Sequence, residues 1–156
     1  MPTQRTTTAA LTEIMLSIFR LNALLLENGD RLVAPLQLTS ARWQVLGAIA
    51  LAGEPLTAPQ IADAMGITRQ GAQKQLNRAR EEGLVEIHAN PRHERSPLYR
   101  LSRAGTKAYD NAMVLQAEWA RSLAHGTPLA DLKTALRLLN GLEARLKSTP
   151  LPTKGK

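Results

Sequence analysis

The residues whose types and spacing could do chemistry are concentrated between Thr68 and Asn77. Arg69, Gln70, Gln73, Lys74 and Asn77 recur at helical spacing on one side of a segment, and no carboxylate stands among them. All are long or donor-rich. A guanidinium or ammonium suits a phosphate, and a glutamine amide can bond an adenine edge with both of its polar atoms. Gln73 and Gln70 are therefore the candidates for base edges, and Arg69 and Lys74 for phosphates. Asn77 and Arg78 are marginal. Taken alone the run is equally a solvated helix face, which is the default for a long polar stretch. Its setting decides.

That setting is two helices joined by a tight turn. Thr57 can cap the first, Gln60 completes a capping box three residues later, and Pro59 fits the first turn. Ile61, Ala62 and Met65 form its apolar face. Gly66 permits the turn, and Thr68 can cap the second helix, whose Ala72, Leu76 and Ala79 should face inward. Thr57 and Thr68 also put hydroxyl or backbone donors at helix starts, where phosphates are attracted. Gly83 suits the end of the second helix. Leu84 to Ala89 then alternates like a strand, and Leu98 to Leu101 looks like its antiparallel partner. Between them Asn90 to Pro97 is a turn-rich loop carrying Arg92 and Arg95. A helix-turn-helix followed by a basic-tipped hairpin is a winged helix. Arg95, and secondarily Arg92, are expected at a minor groove or at phosphates.

These residues resemble a known family. Glu81-Glu82-Gly83-Leu84-Val85, Asn90-Pro91, Arg95 and Leu101-Ser102-Arg103-Ala104-Gly105, with Thr39 to Leu46 including Arg42 and Trp43, are similar to the MarR family of bacterial transcriptional regulators. The resemblance covers roughly residues 8 to 147. It implies a homodimer whose end helices interdigitate, a palindromic operator on double-stranded DNA, and action most often as a repressor. Many members also bind small phenolic or anionic effectors between the DNA module and the dimer base. No specific ligand signature is legible, and Trp43 and Trp119 read as core residues. There are departures. His93 stands where many members carry an Asp that braces the wing arginine, and Ala79 and Arg80 stand where Leu and Glu are common.

Composition agrees with this class. The 156 residues carry 20 Lys+Arg against 13 Asp+Glu, a net +7, which favours a polyanionic partner. The basic excess is local as well: Arg92, Arg95, Arg100 and Arg103 face only Glu94 between Asn90 and Arg103. The apolar fraction of 44% is ordinary for a globular chain, and 3% aromatic residues are too few for a base-stacking surface. Cys is absent, which excludes disulfides and a reversible thiol switch and fits a cytoplasmic setting. No apolar run is expected to reach the length of a membrane span, and no membrane partner is expected. The three histidines are too scattered for a metal site. No catalytic motif is present, so neither an enzyme nor a cofactor is expected.

The remaining elements must position this module. Thr8 to Asn28 is patterned as a helix, with Leu11, Ile14, Ile18, Leu21 and Leu25 stepping by three and four, and Gly29-Asp30 reads as its end. Met15, Phe19, Leu24 and Leu26 widen the apolar surface beyond one stripe, so cover by a second subunit is expected. Thr39 or Ser40 should cap a helix ending at Gly53-Glu54-Pro55. After the wing, Ser102 should cap a long helix to about His125. Gly126-Thr127-Pro128 reads as stop, cap and first helical residue of a last, leucine-rich helix. The expected fold is mainly α with a small β-hairpin wing, in a single domain spanning 1–156. Residues 35–104 form the winged helix-turn-helix module, 8–30 and 105–147 the dimerisation helices, and 148–156 a disordered tail. The alternative function is a winged-helix protein-interaction or architectural DNA-binding module with no specific operator. The basic recognition face and wing favour DNA.

Overall fold

The computed structural model describes residues 2–151, with side chains from residue 6 onward. The elements are α1 (Pro2–Val33), a short 3-10 turn (Ala34–Leu36), α2 (Ser40–Ala52), β1 (Leu56–Thr57), α3 (Ala58–Met65) and α4 (Arg69–Glu81). They are followed by β2 (Val85–His88), β3 (Leu98–Leu101), α5 (Arg103–Ala124) and α6 (Leu129–Ser148). The fold is mainly α with a small antiparallel sheet, as the sequence predicts. Backbone proximity divides it into two compact units, Met1–Ala117 and Glu118–Lys156.

The helix-turn-helix forms where local sequence dictates it. The Thr57 hydroxyl accepts the Gln60 amide at 3.4 Å, and the Gln60 side chain accepts the Thr57 amide at 2.8 Å, which completes the capping box. Gly66 takes the left-handed conformation at φ 63°. Thr68 then caps α4, its hydroxyl accepting the Gly71 amide at 3.0 Å. Ala72, Leu76 and Ala79 on α4 are fully buried with Ile61 of α3 and Val45 and Leu46 of α2. The end of α4 is a Schellman turn: Leu84 N–H donates to Ala79 O and Gly83 N–H to Arg80 O, with Gly83 at φ 72°.

The sheet has three strands, not the two of a bare hairpin, in the order β1-β3-β2. In the wing Ile87 pairs with Tyr99 and His88 with Leu98, while on the other edge of β3 Leu56 pairs with Tyr99 and Thr57 with Leu98. A strand of two residues carries no alternation to detect, so Thr57 reads from sequence only as a cap. Ser102 caps α5 as expected, accepting the Gly105 amide at 2.9 Å while its hydroxyl donates to Gly83 O at 2.6 Å. Gly105 admits this close approach: a Cβ there would lie 1.9 Å from Leu84 O, in the backbone.

Three expectations need correction, and one open alternative, the cap of α2, is decided. First, α1 does not end at Gly29-Asp30 but continues to Val33, and it already includes residues before Thr8. Gly29 is there for packing, since a Cβ would sit 2.3 Å from the Ser40 hydroxyl. That hydroxyl donates to Leu26 O at 2.8 Å, and Asp30 accepts the Ser40 amide at 2.6 Å. The apparent stop signal is thus a tertiary contact between α1 and α2. Second, Thr39 is the cap of α2, and Ser40 is buried as its first residue. Third, Pro128 rather than Thr127 occupies the position before α6, and no side chain caps that helix. Fourth, Thr6–Leu36 is long and apolar enough to cross a membrane by length and composition, with a mean hydropathy of 1.6 in its best window. Scattered polar residues break the run by eye, but the average survives them. Of the expected tail, Ser148 ends α6 and residues 149–151 lie beyond it, while 152–156 fall outside the described residues.

The end helices leave much of their apolar surface uncovered within the chain. On α1, Phe19 is 71% exposed and Leu21 and Leu24 are about half exposed, and they point to different sides of the helix. On α6, Leu129, Leu136 and Leu146 are likewise exposed.

Candidate nucleic-acid interface

The outer face of α4 is built by subtraction. Its inward stripe is consumed by the core, so the residues between stripe positions must point out. Arg69, Gln70 and Lys74 are exposed, and among the described residues none of their side chains makes a hydrogen bond or ion pair. Gln70, Gln73, Lys74 and Asn77 line one open groove of about 720 Å³, together with Thr39 and Arg42. Thr68 and Arg69 sit at the start of α4, outside this groove.

Gln73 differs from its neighbours. It is partly buried, and its amide nitrogen donates to Asn77 Oδ1 at 2.9 Å and to the Tyr99 hydroxyl at 3.0 Å. Both amide hydrogens are therefore engaged, and Oε1 is the polar atom that accepts nothing among the described residues. A contact to adenine through both amide atoms would require one of those partners to be released. Tyr99 is the residue that sequence reasoning misses here. The available signal is weak: a tyrosine buried on a strand needs a partner for its hydroxyl.

The cations near the end of α4 are differently engaged. Arg42 of α2 pairs with both carboxylate oxygens of Glu82, and Arg78 Nε donates to Glu82 Oε1 at 2.9 Å. Arg42 is largely buried in this cluster, its side chain 14% exposed. It fastens α4 to α2, and Arg78 is held beside Glu81 and Glu82.

A second hollow, of about 740 Å³, lies between the start of α3 and the wing loop. Thr57, Gln60, Asn90, Arg92 and His93 line it, so Thr57 and Arg92 come together. The loop is closed by Asn90, whose Nδ2 donates to Ser96 O at 2.8 Å and whose Oδ1 accepts the Arg92 amide at 3.1 Å. Arg95 is exposed at the loop, lines neither cavity and has no ion pair among the described residues. Among the described residues, no three His, Asp or Glu side chains gather into a metal-binding group.

The outer face of α4 carries no acid from Arg69 to Asn77, with Glu81 following one turn on at the same groove, and the arginines of the neighbouring wing loop make no ion pair among the described residues, so the two elements are able to take up a polyanion together. The sequence profile of the MarR family matches residues 36–96, from the turn before α2 to the wing loop. An uncharacterized protein of Mycobacterium tuberculosis is 36% identical over 118 residues, covering 76% of this chain and 77% of that one. Among solved structures, a mutant MarR from E. coli complexed with operator DNA superposes with a TM-score of 0.68 at 23% identity, covering 85% of this chain and 97% of that one. The M. tuberculosis transcriptional regulator MosR in complex with DNA gives a TM-score of 0.66 at 23% identity, covering 83% of this chain and 96% of that one. The structural likenesses carry the fold, and the family profile lies on the helix-turn-helix and wing just described, so this chain belongs to the MarR family, whose members are transcription regulators rather than enzymes.

Proposed function

We propose that this protein is a cytoplasmic, sequence-specific regulator that binds a palindromic operator on double-stranded DNA as a homodimer, acting as a repressor. The observation that carries the reading is the outer face of α4, where Arg69, Gln70 and Lys74 stand exposed and unpaired among the described residues with no acid between them. On this reading Arg69, Lys74 and the helix starts at Thr57 and Thr68 meet phosphates, Gln70 and Gln73 meet base edges, and Arg92 and Arg95 meet the minor groove or phosphates. The DNA complexes of similarly folded proteins support the mode of binding.

The uncovered leucines and Phe19 of α1 support dimerisation. A lipid cover fits less well. Glu13 and Arg20 lie within the apolar stretch, and each charged side chain at the centre of a span costs about 2.5–3.5 kcal/mol on insertion scales. Two copies can keep such residues at the rim of their contact. A dimer places two α4 helices about one DNA turn apart, which makes the operator two-fold.

The proposed regulator is released by a small-molecule effector. A hollow of about 540 Å³ between α2, β3 and the first turns of α5, lined by Ile49, Pro55, Leu101, Tyr109, Arg100 and Asp110, has the size and mixed lining for a small organic molecule. Such a ligand would act only by binding the DNA-competent and incompetent states with different affinity.

Selection of bound duplexes from a randomised pool, followed by sequencing, tests the proposal. Recovery of a two-fold motif is expected. Retention of duplexes with no common motif would favour the architectural reading, and no retention would refute DNA binding.

A further inference from the structure

We propose that Tyr99 is a positioning residue for base recognition: its hydroxyl, together with Asn77, fixes the Gln73 amide so that Oε1 is offered to DNA as a lone acceptor. The inference rests on the reading above that α4 enters the major groove, and it adds which chemical group Gln73 selects there.

An exposed glutamine on a helix rotates freely about its last bonds and can present either polar atom. Gln73 is restrained at two points. Asn77 lies one turn along α4 and is itself exposed, so its hold alone is weak. Tyr99 is different: it is 3% exposed and sits on the central strand β3, paired with Ile87 of β2 and Leu56 of β1. With its backbone held on both strand edges and its ring buried, Tyr99 has little freedom, so its hydroxyl is a fixed point to which Gln73 is tied at 3.0 Å. With Nε2 donating to both partners, the remaining valence of the amide is the acceptor. In the major groove the donors that match an acceptor are the exocyclic amino groups of adenine and cytosine, whereas guanine and thymine present keto oxygens at the corresponding place. Gln73 therefore selects A or C over G or T on the strand that it faces. Tyr99, which need not touch DNA, sets that choice through the wing sheet.

The test uses the full-length protein and the duplex recovered by selection, with each half-site position replaced in turn by the other bases. The wild type is expected to prefer A or C over G or T at one position per half-site by about fivefold or more, and Gln73→Ala to abolish that preference. Tyr99→Phe keeps the ring and removes only the hydroxyl. It should cut the preference to about twofold or less, with affinity for random DNA and the thermal midpoint near wild type. The double variant should lose no more than Gln73→Ala alone, because the two residues act through one contact. Asn77→Ala, which leaves the core untouched, should give a partial loss at the same position. Full discrimination by a folded Tyr99→Phe protein would overturn the positioning role while leaving Gln73 as a base contact. A preference for G or T at the position governed by Gln73 would overturn the acceptor assignment. If Gln73→Ala changes no position, the placement of Gln73 on a base fails, and this inference fails with it.

Discussion

Helices α4 and α1 both have a buried side and an open side, and they differ in what the open side asks for. On α4 the chain itself covers the whole apolar stripe, with Ala72, Leu76 and Ala79 fully buried, and what remains outside is cationic and amide-bearing as far as Arg80, with Glu81 beside Arg78 at the end. On α1 the chain covers Gly29 and Val33 near the end, and leaves Leu16, Phe19, Leu21 and Leu24 at half exposure or more. Full burial of one such side chain contributes about 1.5–3 kcal/mol, so covering several is a substantial driving force for association. A polar open face paired to a finished core is suited to a charged, hydrated partner. An apolar open face is suited to protein. The proposed function thus assigns one chain two separate interfaces, one electrostatic and one hydrophobic.

Substitutions can separate the two. The largest effect is expected from Phe19→Glu, which puts a charge into the apolar side of α1. It should convert the protein to a monomer in sedimentation equilibrium at micromolar concentration and lower affinity for the selected duplex at least about a hundredfold, towards the level on random DNA. A variant that remains dimeric would place the subunit interface elsewhere. Gln73→Ala comes next. It should cost about 1 kcal/mol per half-site on the operator, the scale of one hydrogen bond, with little change on random DNA, as read by binding titrations. Arg95→Ala should act differently, because a loop arginine without an acidic brace depends on charge and groove width. It should weaken operator and random DNA alike and flatten the salt dependence by a slope of about 1 for each phosphate that a wing no longer neutralises. An operator-only effect of Arg95→Ala, with Gln73→Ala weakening both duplexes equally, would mean that the two roles are reversed.

The smallest effect is expected on α6. Lys147 Nζ donates to Glu143 at 2.6 Å, and this hydrogen bond and the lysine charge hold the Glu143 carboxyl below its usual value. A depressed carboxyl contributes to stability above the usual carboxylate pKa, and the contribution is lost as pH falls through the lowered value. The pair is fully solvated and lies on a helix outside both proposed DNA elements. Glu143→Gln should therefore leave the thermal midpoint and DNA affinity at pH 7 unchanged within scatter.

What was legible in the sequence was what short-range chemistry determines. The caps at Thr57 and Thr68, the turn at Gly66 and the inward stripe of α4 are set within one or two turns of chain, and all are found where spacing predicts them. The family resemblance, resting on the same segment and the wing, also stands. Three features that the sequence did not reveal were set by distant partners. Gly29 looks like a helix stop, but it is small because Ser40, from the next helix, lies against it. Strand β1 exists because β3 offers an edge to Leu56 and Thr57, not because two residues have a pattern. The tie from Gln73 to Tyr99 joins residues 26 positions apart, and neither reveals the other in sequence.

The central claim is that two α4 helices, held by one dimer, read two half-sites together. The most direct measurement compares affinity for the selected duplex with affinity for the same duplex carrying an insertion of about half a helical turn (about 5 bp) between the half-sites. The insertion leaves every base edge available but turns one half-site to the opposite side of the DNA. The account predicts a fall to near the affinity for random DNA. Unchanged affinity for the two duplexes would contradict it, because a rigid pair of recognition helices cannot follow that rotation.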